Sequence, residues 1–254
     1  VLRESVAEML QRTGFALLRT MSEHRAFTDI FVPPYSTNVG WQSGLGDAAF
    51  ALFGIVRAQH PRVIVEIGSA RGRSTCALAL ACRKNGVGRV YAIDPHSINP
   101  WTEIGTGGST ETFLRGRLRD YHLDEWCEVI VAASADAARA WALPIDLLFI
   151  DGDHSLDGVR GDFEMFQPWF APNALVVFHD SAWGYRTLGG EPQPGDLRDK
   201  LAAMGVPQYL ETLKGQGYQS VTLPLVPGLT ILDPQPGGFV FVPAPAHQHA
   251  SERA

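Results

Sequence analysis

The sequence predicts an α/β fold, a mostly parallel sheet with helices on both faces. Three observations carry this. Largely apolar runs at 63–67, 89–93, 145–150 and 174–178 each stop against polar or acidic residues. The runs are continuous rather than alternating, as strands covered on both faces require. Helix-like stretches separate them at the spacing of right-handed βαβ units.

The elements follow in order. Residues 3–12 carry charges on one side and Val6, Met9 and Leu10 on the other, which predicts a short amphipathic helix. Residues 28–46 contain Pro33, Pro34, Asn38, Gly40, Gly44 and Gly46 and read as an irregular segment of the kind that lines sites. Asp47 is the expected N-cap of a helix over 48–59, which Pro61 stops. A strand at 63–67 leads to a helix at 73–84, with Gly86 placed to end it. Further strands are expected at 89–93, 128–132, 145–150 and 174–178, and helices at 109–119, 135–141, 157–167 and 206–214. Loops at 95–109 and 183–195 leave the carboxyl edge of the sheet, where open α/β folds bind ligands. Late strands are expected at 218–226 and 238–242, joined by a Pro/Gly-rich turn. No repeat or linker divides the chain, so one domain is expected, with 1–46 as an extension, 47–243 as the core and 244–254 as a tail.

Composition narrows the function. A chain of 254 residues with 45% hydrophobic content fills a sizeable core. The formal net charge of −6, without a basic block, argues against broad nucleic-acid binding and leaves a small-molecule substrate. Cys76, Cys82 and Cys127 read as free thiols in a reducing compartment. No apolar run is long enough to cross a bilayer, and a cytoplasmic protein without membrane partners is expected.

The candidate chemistry lies at the strand ends. Glu66-x-Gly68-x-Ala70-x-Gly72 follows the first strand, where glycines let the backbone turn sharply beside a ligand. Asp94 ends the second strand 22 residues past Gly72, where an acid can accept from ribose hydroxyls. Asp151, Asp153 and His154 follow the fourth strand, and His179 and Asp180 end the fifth. Two carboxylates with an imidazole suit a divalent cation, Mg²⁺ or Mn²⁺. Such a cation lowers the pKa of a bound hydroxyl.

The first stretch resembles motif I of the class I S-adenosylmethionine-dependent methyltransferases. The resemblance covers roughly residues 45–243 and implies a Rossmann-like, seven-stranded sheet whose last strand is antiparallel. It implies cofactor contacts from Glu66 at the methionine end and from Gly68, Ser69, Ala70, Gly72, Ser74, Asp94 and Asp151, with Ser134 and Asp136 near adenine. The run Phe149–Ser155 with Phe178-His179-Asp180 resembles the metal-dependent sugar and natural-product O-methyltransferases, including the macrolide-sugar and cephalosporin hydroxylase-like group. That implies a metal at Asp151, His179 and Asp180, with His154 as general base and Asp151 beside it. His179 departs from the usual acid there; imidazole suits Mn²⁺ better than Mg²⁺.

Trp101, Trp183 and Tyr185 are the expected substrate contacts, with Trp41, Tyr35 and His96 as further candidates. Arg115, Arg117 and Arg119 read as a solvated helix face. The acceptor expected is a hydroxyl on a sugar of a secondary metabolite, as in antibiotic biosynthesis, or on a nucleotide sugar. A catechol-like phenol is the alternative. An NAD-linked oxidoreductase and a non-enzymatic cofactor-binding protein are the other classes. A homo-oligomer is compatible with the extension and loops.

Overall fold

The computed structural model describes residues 24–31, 41, 43–97, 109–182, 204–223, 225 and 227–235. Seven strands form one sheet: β1 Val63–Ile67, β2 Arg89–Ile93, β3 Cys127–Ile130, β4 Ile145–Ile150, β5 Phe170–His179, β6 Gln219–Leu223 and β7 Leu229–Asp233. Their spatial order is β3-β2-β1-β4-β5-β7-β6. β1 to β5 run parallel, and β7 lies antiparallel to both β5 and β6. This is the Rossmann-like sheet that the sequence predicts. Between β1 and β4 the connections reverse direction, which opens a crevice above the strand ends.

Helix α1 spans 24–31. The others are α2 Ala48–Gln59, α3 Arg73–Asn85, α4 Thr110–Asp120, α5 Ser134–Arg139, α6 Leu156–Phe166 and α7 Gly205–Gly215. Two apolar cores result. One joins α2, α3 and α4 to one sheet face through Leu52, Leu78, Leu114 and Phe149. The other joins α5, α6 and α7 to the opposite face through Trp141, Phe163, Tyr209 and Phe178. Gly86 ends α3 in the left-handed conformation, at φ 69°. Among the described residues, no helix is long and apolar enough to cross a membrane.

Several expectations change. The seventh strand of the sheet is 229–233, within the expected turn, and the expected strand at 238–242 lies outside the described residues. Gly228, at φ 113°, precedes it, and Pro234 follows it. Asp47 stands at the N-cap of α2 but makes no side-chain capping bond, because its backbone is already helical. Trp41 is buried, and its indole donates to the Asp29 carbonyl at 2.9 Å. It therefore anchors α1 rather than facing substrate. Arg117 leaves the solvated face and stacks over Trp41, Phe113 and Tyr121. The Tyr121 hydroxyl donates to Asp29 at 2.8 Å and Arg73 Nε donates to the Ile30 carbonyl at 3.0 Å, so α1 is fixed at the start of α3. The expected 3–12 helix and most of both loops lie outside the described residues.

Candidate active site

Side chains from the ends of β1, β2, β4 and β5 meet at the crevice. The turn after β1 uses two glycines in left-handed backbone. Gly68 lies at φ 89°, and a Cβ there would sit 2.2 Å from the Asp151 carbonyl oxygen. Gly72 lies at φ 87°, and a Cβ there would sit 2.2 Å from a Leu114 methyl. Only glycine fits either place, and the first seats the β1 turn directly against the end of β4. Ala70 also has positive φ, at 41°.

Asp94 ties this turn to β2. It accepts from the Ala70 N–H at 2.8 Å and from the His96 N–H at 2.6 Å. His96 is itself locked by Thr110, Nδ1 to Oγ1 at 2.9 Å. The Asp94 carboxylate is thus aimed before any ligand arrives.

Glu66 is wholly buried at the end of β1. Burial pushes its carboxyl up to about 8, the nearby charges of Asp151 and Asp94 add to this, and the hydroxyls of Ser74 and Thr75 partly oppose it. Thr75 Oγ1 donates to Glu66 Oε2 at 2.5 Å. Glu66 Oε1 and the Ser69 hydroxyl are buried without a hydrogen-bond partner. Such atoms are costly unless something completes them. They fit the polar methionine end of an adenosyl cofactor.

Asp151, His154, His179 and Asp180 form the second cluster. His154 Nε2 lies 3.0 Å from Asp180 Oδ2 and 3.5 Å from Asp151 Oδ1. His179 Nδ1 lies 2.9 Å from Asp151 Oδ1 and 3.3 Å from Asp180 Oδ2. Burial works against charge on His179, but the two carboxylates outweigh it and push the imidazole up to about 10. Burial alone would raise Asp151, yet the His179 charge and the bonds from both imidazoles hold it well below the usual carboxylate range. His154 is likewise raised, its burial overcome by Asp151 and Asp180.

The ligand atoms of Asp151, His154 and Asp180 all lie within 4.8 Å of one another and could hold a cation. The geometry therefore groups His154 with the two acids. His179 Nδ1 faces the carboxylates as their hydrogen-bond partner. The donor set of two carboxylates and one imidazole fits Mn²⁺ better than an all-oxygen preference such as that of Mg²⁺. The turn bearing Asp180 is strained, at φ 54°. It is held by the Ala182 N–H donating to the Pro227 carbonyl at 3.0 Å.

Ser134 hydrogen-bonds Asp162 on α6, whose carboxyl burial pushes up to about 6. Asp136 is exposed and pairs with Arg139. Trp101, Trp183, Tyr185 and Tyr35 lie outside the described residues. Sequence reasoning did not assign Thr75 or Asp162 to the site. The paired hydroxyls Ser74-Thr75 in the first turn of α3 could have pointed to a buried partner on β1.

Comparison with known proteins agrees with this fold. Residues 65–181 match the family model described as a methyltransferase domain. Solved structures share the fold. A Podospora anserina methyltransferase bound to S-adenosylhomocysteine matches with a TM-score of 0.61 at 14% identity, over 83% of this chain and 86% of that one. An O-methyltransferase of tomaymycin synthesis from Streptomyces achromogenes, in complex with S-adenosylmethionine, matches with a TM-score of 0.55 at 19% identity, over 83% and 88%. A Bacillus cereus O-methyltransferase in complex with S-adenosylhomocysteine matches at 0.54 and 17%, over 82% and 95%.

Proposed function

We propose that this methyltransferase domain moves the methyl group of S-adenosylmethionine to a hydroxyl of a small molecule, with a divalent cation at Asp151 and Asp180. One observation carries the reading. The glycine turn that suits an adenosyl cofactor is seated on the carbonyl of Asp151, the residue that begins the acid–imidazole cluster. Donor and acceptor sites are therefore adjacent by construction, and methyl transfer needs such in-line positioning.

Glu66 and Ser69 hold the methionine end, and Asp94 holds the ribose. Ser134 lies toward adenine. The cofactor supplies an electrophilic methyl on a sulfonium sulfur. A cation held by Asp151 and Asp180 would orient the acceptor hydroxyl, and the His154 imidazole, left off the cation, would take its proton as the oxygen gains the methyl and the sulfonium sulfur releases it. A bound dication would lower the pKa of that hydroxyl and offset the pull of Asp151 and Asp180 on the His154 proton. A sugar carrying vicinal hydroxyls, on a secondary metabolite or nucleotide sugar, is the favoured acceptor, because two neighbouring oxygens chelate the cation.

A second, metal-free reading has its own support. Two imidazoles face two carboxylates at 2.9–3.5 Å, so the four side chains can compensate one another. His154 would then act as base with Asp180 orienting it.

Calorimetry separates these readings. The EDTA-stripped protein is titrated with S-adenosylhomocysteine, with NAD, and then with Mn²⁺ and Mg²⁺, before a screen of glycosides and catechols. Micromolar S-adenosylhomocysteine binding and a metal isotherm lost in Asp151→Ala are expected. Turnover that survives EDTA would favour the metal-free reading. Binding of NAD in place of S-adenosylhomocysteine would overturn the methyltransferase.

A further inference from the structure

We propose that Gly205, the first residue of α7, is a positioning residue that sets where His154 stands. The inference rests on the role given to His154 above. The Gly205 N–H donates to the His154 carbonyl at 2.7 Å. A Cβ at Gly205 would lie 2.0 Å from Leu156 N, 2.2 Å from Leu156 Cα and 2.4 Å from the Ser155 carbonyl carbon. These are backbone atoms, which cannot swing aside as a side-chain tip can. α7 therefore presses on the main chain that carries His154, with no room for any other residue.

The opposite side of the same turn is equally fixed. Ser155 caps α6 by accepting from the Gly158 N–H at 3.1 Å, and Asp153 Oδ1 accepts from the Ser155 N–H at 2.9 Å. Gly158 packs onto Asp153, where a Cβ would lie 2.5 Å from the carboxyl carbon. α7 is itself anchored by Val206, Tyr209 and Leu213 in the core, with Tyr209 5.9 Å from the Phe163 ring of α6. His154 is thus held through its backbone between two immobile walls while its ring reaches Asp180 at 3.0 Å. Clearing a Cβ at Gly205 demands a shift of about 1 Å, and a misplacement of that size costs a reaction about 100-fold.

Gly205→Ala tests this, with Gly215→Ala on the same helix as control, since a Cβ there meets nothing within 4 Å. Protein labelled with ¹⁵N-histidine reports the His154 ring, assigned with His154→Gln. In Gly205→Ala the His154 Nε2 resonance should move, turnover of the acceptor found in the screen should fall about 100-fold, and S-adenosylhomocysteine affinity should stay within about twofold. Adding Gly205→Ala to His154→Gln should cost nothing more, because both act through one group. Gly215→Ala should match wild type. An unmoved His154 resonance in a folded Gly205→Ala protein overturns the inference. Full activity of His154→Gln would instead sink the role given to His154, whatever Gly205 does to the ring. If Gly205→Ala does not fold, Val206→Ala loosens the same helix turn without crowding it. It should move the His154 resonance, and an unchanged resonance there overturns the proposal.

Discussion

On the proposed reading, Glu66 makes cofactor binding depend on proton release. Its carboxyl is fully buried and pushed up to about 8, chiefly by burial, so at neutral pH the free protein holds it protonated. A ligand that brings a cationic amino group to Glu66 Oε1 favours the carboxylate, and the proton must leave. If only ionised Glu66 binds, apparent affinity scales with the ionised fraction. For a group titrating near 8, that fraction rises from about 1% at pH 6 to about half at pH 8, an increase of about 50-fold. Calorimetric titration with S-adenosylhomocysteine at these two pH values measures it. Repeating the pH 7 titration in buffers of different ionisation enthalpy counts the protons released, with nearly one expected. Glu66→Gln subtracts every other titrating group: it should bind more weakly at pH 8 and lose the 50-fold slope. A wild-type slope equal to that of Glu66→Gln would refute the reasoning. The same group shapes stability. Its folded pKa lies above the unfolded value of 4.5, so its contribution is full below 4.5 and is lost as pH rises to about 8. The free wild-type protein should therefore lose stability across that window relative to Glu66→Gln, by up to about 5 kcal/mol in urea titrations.

Other expected outcomes follow from single contacts. Gly68→Ala combines a φ of 89° with a 2.2 Å clash against the Asp151 carbonyl. It should destabilise by well over about 1 kcal/mol in thermal melts and abolish S-adenosylhomocysteine binding. Ser155→Ala removes the cap bond to Gly158 N–H, at 3.1 Å, and should cost about 1 kcal/mol, or about 2–4 °C in the melt. Cys76, Cys82 and Cys127 are buried, and burial raises all three thiols. They should resist a thiol reagent in the folded protein and react fully in denaturant.

The legible part of this molecule is what apolar patterning and chain punctuation encode. β1, β2 and β4 fall where continuous β-branched and apolar runs fall, because both faces of those strands are covered. Gly68, Gly72 and Asp94 were readable because backbone turns constrain residue type locally. β7 was not, since Leu229–Asp233 is short and its apolar character resembles the neighbouring turn. What fixes it is the approach of Gly228 to Ala182, a contact between segments 46 residues apart. The same limit hid the roles of Trp41 and Arg117, which depend on α1 docking against α4. Gly205 sits 51 residues from His154, and no periodicity links them.

On the proposed metal reading, His179 decides how the acidic cluster treats a cation. Its imidazolium lies 2.9 Å from Asp151 and 3.3 Å from Asp180 and is almost fully buried. A dication entering between those carboxylates meets a positive neighbour that already satisfies them. His179→Asp replaces that cation with an anion, a change of two charges in a site of low dielectric. Without metal, three close carboxylates repel one another, so the variant should melt well below wild type in EDTA. With Mg²⁺ the repulsion becomes attraction, the oxygen-only donor set suits the ion, and the melting temperature should recover. Wild type should show the reverse balance, with little change of melting temperature in EDTA. Calorimetric Mg²⁺ affinity at least tenfold higher in His179→Asp than in wild type is the expected result. Equal affinities would mean that His179 does not guard the site, and the cation would have to be held away from Asp151 and Asp180.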